Sequence, residues 1–132
     1  MTSMLPKVFF VHFNNTVYLA ELKNELVGFL VGFLSQSDEN VGYIHFVGVH
    51  PTYRKAGIGR LLYQKFYAAC RTKHRSIIKS CTSPINKLSI DFHIRMGFDI
   101  EPGDAMVDGI PVIMNYLRSD DPKVLFKKEL SV

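Results

Sequence analysis

The spacing of apolar and polar residues changes period several times along this chain, and each change predicts an element. Thr16 to Leu22 alternates and is rich in Val, Tyr and Leu, which is the signature of a strand. Asn24-Glu25 reads as a turn, and Leu26 to Leu34 as a second strand that completes a hairpin. Ser35 to Asn40 is a polar loop. Val41 to Val49 is a third strand that alternation places with Val41, Tyr43, His45, Val47 and Val49 on one face, and Pro51 ends it. From Gly57 to Lys73 the period becomes helical. Ile58, Leu61, Leu62, Phe66, Ala69 and Cys70 form one apolar stripe. Ser76 to Cys81 is a short strand. Ser83-Pro84 reads as a helix cap followed by a first-turn proline, opening a helix to about Met96 that Gly97 stops. Phe98 to Ile100 is a strand. Glu101 to Asp121 reads mostly as loop, punctuated by Pro102-Gly103 and Asp108-Gly109, and Val124 to Leu130 is the last strand. Met4 to Phe13 fits either a short helix or an irregular arm. No repeat or linker interrupts the chain, so one domain over residues 1–132 is expected. Its class is α/β (α+β): a mixed, mostly antiparallel sheet flanked by helices.

The segment Val47 to Leu62 carries the most specific chemistry. A strand ends, a turn bears Arg54 and Lys55, and Gly57 and Gly59 open a helix that also carries Arg60. Glycines let backbone N–H groups approach a ligand, and the first N–H groups of a helix lack internal partners. With the positive end of the helix dipole they form an anion site suited to a phosphate or pyrophosphate. A lone GxG would more simply be a tight turn. Here it follows an apolar strand and starts an amphipathic helix. The segment is neither a Walker loop nor a dinucleotide-binding fingerprint, because GxxxxGK[ST] and GxGxxG are both missing. On the later helix, Asn86, Ser89 and His93 fall at i, i+3 and i+7 as a polar stripe beside Ile85, Leu88, Phe92 and Met96. Alone, that stripe would read as a solvated helix edge.

The run VHPTYRKAGIGRLL resembles the signature V-x-P-x-[YF]-[RQ]-x-x-G-[IVL]-[GA] of the GNAT superfamily of acetyl-CoA-dependent N-acetyltransferases. The block Asn86 to Phe98 resembles that family's N-x-x-[AS]-x-x-[FL]-[YH]-x-x-x-G-F. The resemblance covers roughly residues 16–132. It implies that Arg54, Lys55, Ala56, Gly57, Ile58, Gly59 and Arg60 hold the pyrophosphate of acetyl-CoA. The backbone of Phe46, Val47, Gly48 and Val49 would pair with the pantetheine arm. A bulge at Gly48 would aim an N–H at the thioester carbonyl. Asn86 and Ser89 would line the pantetheine. His93 stands where relatives usually carry a tyrosine that protonates the departing thiolate. His45 lies on a strand where many carry a glutamate that deprotonates the amine; a histidine can do this, though a core histidine is an equal reading. Relatives usually place a strand and two helices before the first hairpin, whereas about 15 residues precede it here. A shortened N-terminus, an open acceptor pocket and a homodimer are therefore expected.

Composition narrows the classes. The formal net charge is +4 and 47% of the residues are hydrophobic, enough for an ordinary core. A nucleic-acid-binding domain would show basic clusters interleaved with stacking aromatics, and only Arg54 to Arg60 clusters. Cys70 and Cys81 match no zinc spacing and read as reduced thiols. No paired carboxylates, metal cluster or Ser/His/Asp arrangement stands out. Neither a signal pattern nor an apolar run near the ~20 residues of a membrane span occurs, so a cytoplasmic protein without membrane, metal or nucleic-acid partners is expected. His50 reads as structural, while His12 and His74 carry no pattern. Glu21 and Glu25, near the first hairpin, could face an acceptor. The expected activity is acetyl transfer from acetyl-CoA to a primary amine of a small molecule or peptide by direct attack in a ternary complex. The alternative is an acyl-CoA-binding module that has lost turnover.

Overall fold

The computed structural model describes residues 16–54 and 56–131. The expectation for Met4 to Phe13, and that for Lys55, lie outside the described residues. The elements run β1 (Val17–Leu22), β2 (Glu25–Leu34), β3 (Val41–Val49), a 3-10 turn (Pro51–Tyr53), α1 (Ile58–Thr72), β4 (Ile77–Thr82), α2 (Lys87–Arg95), β5 (Asp99–Ile100), β6 (Ala105–Val107), β7 (Ile110–Val112) and β8 (Val124–Glu129). The chain divides into two compact units, one built on Met1–Ser76 and Leu130–Val132, the other on Ile77–Glu129.

In the first unit β1, β2 and β3 pair antiparallel in that order. The hairpin turn sits at Lys23 and Asn24, both at positive φ, one residue earlier than the alternation suggested. A two-residue turn with both central residues left-handed matches the twist of the strands it joins. The α1 helix covers one face of the three strands. Its buried residues are Leu62, Tyr63, Phe66, Tyr67 and Cys70, a helical stripe. It packs close because Gly32 and Gly42 leave room: a Cβ on either would lie 2.3 Å from Phe66 or 2.5 Å from Cys70.

The ladder between β2 and β3 is not regular. Val31 pairs with Phe46, but the next residue, Gly32, pairs with Ile44, so His45 is the extra residue of a bulge. Paired residues share a face, and the bulge reverses the alternation. Gly42 and Ile44 therefore lie on the α1 side before it, and Val47 and Val49 after it. Tyr43 and Phe46 fall on the opposite face, with Phe33 and Val31. The expected single face of Val41, Tyr43, His45, Val47 and Val49 is thus split by one residue. The bulge expected at Gly48 is at His45 instead. Gly48 has a different reason to be glycine, since a Cβ there would meet the Phe29 ring at 2.6 Å.

In the second unit β4 and β5 each pair antiparallel with β8. Ile78, Ser80, Val124 and Phe126, all buried, share one face, and α2 packs on it through His93. Asn86, not Ser83, caps α2. Ser83 and Pro84 make a preceding turn in which the Asn86 N–H donates to the Ser83 carbonyl. Gly97, at φ +89°, ends the helix as expected, and Lys128 Nζ donates to the Met96 carbonyl at 3.0 Å. The apolar stripe read on this helix is only half of its buried face: Met96 is buried and Phe92 half-buried, but Ile85 is 80% and Leu88 69% exposed, while Ile90 and His93 are buried. Polarity misled here because the residue that fills the core is a histidine. The segment read as loop contains a hairpin, β6 and β7, turned at Asp108 and Gly109, both at positive φ. Strands of three residues are too short to show a period.

Candidate functional site

The loop between β3 and α1 is built by local chemistry. Pro51 starts the 3-10 turn, and His50 caps it: its Nδ1 accepts from the Thr52 N–H at 3.2 Å. That bond requires the proton on Nε2, so His50 serves the loop as an acceptor. The chain then reaches Gly57, the N-cap of α1, at φ +81° and ψ 12°. This left-handed conformation strains any residue with a Cβ. No side chain caps α1, and its first turn holds no acid. Its first internal bond runs from the Leu61 N–H to the Gly57 carbonyl at 3.1 Å, so the N–H groups of Ile58, Gly59 and Arg60 precede the ladder. Arg54 and Arg60 are exposed on either side, and Ala56 and Gly57 are exposed between them. A Cβ at Gly57 would meet nothing within 4 Å, so the loop faces open space. An uncapped helix start, flanked by two guanidinium groups and free of acid, fits a pyrophosphate.

Four residues before the end of β3 the bulge presents His45. The side chain is exposed, and burial of part of the ring lowers its pKa from the ordinary 6.5. Its imidazole lies 5.6 Å from the Phe33 ring and 5.1 Å from that of Phe46. A mostly neutral imidazole near neutral pH can accept a proton. Tyr43 was already read on one face with His45, whereas Phe33 and Phe46 beside it were missed from the sequence. Phe29, Val31 and Phe33 share one face of β2, and only the β2–β3 register brings Tyr43 and Phe46 to it.

In the second unit the three polar residues of α2 are brought together by the helix itself. The Asn86 Oδ1 accepts the Ser89 N–H at 3.1 Å. This is an N-cap bond, and it leaves the amide Nδ2 of Asn86 as the donor that could face a ligand. Ser89 Oγ lies 3.4 Å from His93 Nδ1, and that same nitrogen donates to the Ser89 carbonyl at 2.7 Å. His93 is 2% exposed and stacks on Phe126 with ring centres 4.1 Å apart and planes at 2°. Burial lowers its pKa, partly offset by the bond to the Ser89 carbonyl, which favours the charged form. With Nδ1 protonated, Nε2 of the neutral ring can only accept. Donation to a thiolate would need the imidazolium, which burial disfavours.

The sequence profile of the Acetyltransferase (GNAT) family matches residues 3–98, a span that includes both the Gly57 loop and the Asn86 to Phe98 block. The chain belongs to the GNAT acetyltransferase family. Solved structures agree on the fold. Ard1 from Thermoplasma volcanium is 19% identical, with a TM-score of 0.78 over 100% of this chain and 82% of that one. Naa20 from Chaetomium thermophilum, solved with a bisubstrate analogue, is 20% identical, with a TM-score of 0.76 over 92% of this chain and 70% of the other. Arabidopsis thaliana Naa50, solved with the bisubstrate analogue CoA-Ac-MVNAL, is 22% identical, with a TM-score of 0.69 over 88% and 74%. Comparison with curated proteins found no match. The described strands and helices thus form a GNAT-like α/β fold. Among the described residues no group of His, Cys, Asp or Glu is placed to hold a metal ion, and no helix is long and apolar enough to cross a membrane.

Proposed function

We propose that this protein is an N-acetyltransferase that takes its acetyl group from acetyl-CoA. The observation that carries the reading is the start of α1: a left-handed Gly57, no capping side chain, no acid, and Arg54 and Arg60 alongside. Family membership supports acetyl-CoA as the ligand of that anion site. In this reading the N–H groups of Ile58, Gly59 and Arg60, with Arg54, Lys55, Ala56 and Gly57, bind the pyrophosphate. The backbone of Phe46, Val47, Gly48 and Val49 binds the pantetheine arm, and Asn86 Nδ2 and the Ser89 side chain contact it from α2. The cosubstrate supplies an activated acetyl thioester. The acceptor's amine nitrogen attacks the acetyl carbonyl carbon, the C–N bond forms, and the C–S bond breaks. His45 takes the amine proton on a ring nitrogen. The sulfur leaves as thiolate and takes a proton from water, and His45 returns its proton to the hydroxide that remains, giving the amide and coenzyme A. A thiol with a pKa near 8.5 leaves tolerably without a dedicated acid. His93, buried and bonded to Ser89, then holds α2 against β8 instead of donating a proton. The acceptor is a primary amine of a small molecule or peptide.

That same burial of His93 favours the second reading, a module that binds acyl-CoA without turnover. Thioester cleavage by the parent protein, measured with and without a panel of amines, separates the two. Amine-dependent release of thiol supports the enzyme. Binding of acetyl-CoA with no release under any amine supports the module. Gly57→Val should lose acetyl-CoA binding in calorimetry while circular dichroism shows the fold retained; unchanged affinity would remove the loop assignment. Self-association belongs to the proposal too, supported by the exposed Ile85 and Leu88. Light scattering should give a homodimer at micromolar concentration.

A further inference from the structure

The face of the first unit turned away from α1 carries, around His45, a wall that the transfer chemistry does not itself require. Phe33 pairs with Tyr43 across β2 and β3, and Val31 with Phe46, which puts all four on one face. Phe33 and Phe46 pack on the buried Phe29 and Val31, together with Val17. Phe33, Tyr43 and Phe46 are each half-buried, and Leu19, on the same face, is 49% exposed. The bulge adds the exposed His45 to this face, in ring contact with Phe33 and Phe46.

We propose that this wall selects the acceptor, so that the acetyl group goes to a primary amine carried on an aromatic or branched aliphatic group, not to a polyamine or a hydroxylated amine. The proposal rests on the reading above, in which His45 takes the amine proton. A base must lie about 3 Å from the nitrogen it deprotonates. The group carrying that nitrogen then lies against whatever surrounds His45, and those neighbours are Phe33, Phe46 and Tyr43. An apolar carrier removes area from water on both sides of the contact. A second ammonium on the acceptor would give up hydration there, and the described residues of this unit place no carboxylate next to Phe33, His45 or Phe46 to replace it. Among the described residues of this unit the acids are Glu21, Glu25, Asp38 and Glu39. Only Glu21 shares the face by alternation along β1, four residues beyond Val17, or about 13 Å along the strand. Asp38 and Glu39 lie in the β2–β3 loop, and Glu25 pairs with Leu22 on the α1 side. An apolar surround also disfavours the charged form of the acceptor's own amine, which increases the fraction able to attack.

The test is an acceptor panel at saturating acetyl-CoA. 2-Phenylethylamine and 3-methylbutylamine should show kcat/KM at least about tenfold above ethanolamine, putrescine and spermidine, chiefly through KM. Phe33→Ser should remove most of that preference while acetyl-CoA affinity, by calorimetry, stays within about twofold. Phe33→Leu keeps apolar volume, so it should retain the preference for the branched amine and guards against loss through misfolding. Aromatic faces also attract cations. Equal or higher kcat/KM with putrescine or spermidine would overturn the proposal, as would an unchanged preference in Phe33→Ser. A parent that binds acetyl-CoA but transfers to neither apolar amine overturns it too. A parent that fails to bind acetyl-CoA overturns instead the reading on which the proposal rests.

Discussion

The two helices among the described residues each begin shortly after a strand, and they begin differently. At α2 the side chain of Asn86 turns back to accept the Ser89 N–H, so one of the helix's unpaired donors is satisfied from within. At α1 the capping residue is Gly57, which has no side chain to offer and sits in a left-handed conformation. Neither first turn contains an acid. The difference is therefore the cap alone. A helix start that satisfies itself is a structural joint, and one that does not is available to an anion. The same contrast runs through the polar side chains. The Arg54 and Arg60 side chains are exposed, whereas His93 is committed to Ser89 and Phe126.

The largest effect should come from making α1 begin with an acid of its own. Gly57→Asp places a carboxylate where the pyrophosphate is proposed to sit. Asp tolerates the left-handed region better than most residues, and the site has room for the side chain. Acetyl-CoA affinity should fall by about a hundredfold or more, the loss of a charge-assisted contact set worth roughly 3 kcal/mol. Thermal stability should stay within about 1 kcal/mol of the parent. Calorimetry and a melting curve read the two together, and intact affinity would erase the contrast between the helix starts.

Next in size is His93→Ala. If His93 is a core group of α2, the change leaves a cavity beside Phe126 and should cost about 3 kcal/mol of stability. The kcat of the protein that remains folded should change less than tenfold. A large kcat loss at unchanged stability would return His93 to the reaction.

Smaller still is the cap of α2. Asn86→Ala should cost about 1 kcal/mol. Asn86→Asp keeps an oxygen for the Ser89 N–H and suits the helix dipole, so stability should be retained. It also removes Nδ2, so coenzyme A affinity should fall several-fold. Equal affinity for Asn86→Asp and the parent would leave Asn86 a cap and nothing more.

The smallest effect is on pH. The pKa of folded His93 lies below its ordinary 6.5, chiefly because burial disfavours the imidazolium. Below pH 6.5 the unfolded chain then binds more protons than the folded one. The stability contributed by the neutral, buried ring is fully present above that pH and is lost as pH falls toward the folded pKa. Melting temperature should decline over this window in the parent and decline less in His93→Phe. Parallel curves would mean that other groups carry the acid sensitivity.

What was legible in the residues themselves was local. Period alone located β1, β2, β3 and α1 to within a residue or two, because an alternating or helical stripe is set by the residues that carry it. The Gly57 loop was legible for the same reason. Backbone freedom, two nearby arginines and the start of an amphipathic stripe are all properties of one short stretch. The three-residue strands β6 and β7 had no period to read. The cap of α2 moved from Ser83 to Asn86, because both residue types can cap and only the turn at Pro84 and Ile85 chose between them.

The tertiary structure decided whatever depends on a partner strand. A bulge exists only as a mismatch between two strands, so no property of β3 alone could place it at His45 and not at Gly48. That mismatch moved Tyr43 and Phe46 to one face with Phe33 and sent Val47 and Val49 to the other. The burial of His93 was likewise decided across the unit, by a ring on β8 that stacks on it, while a carbonyl of its own helix fixes its proton on Nδ1. A histidine's polarity, read along the chain, points to a surface or a site. Stacked on a phenylalanine with its N–H satisfied, it is core.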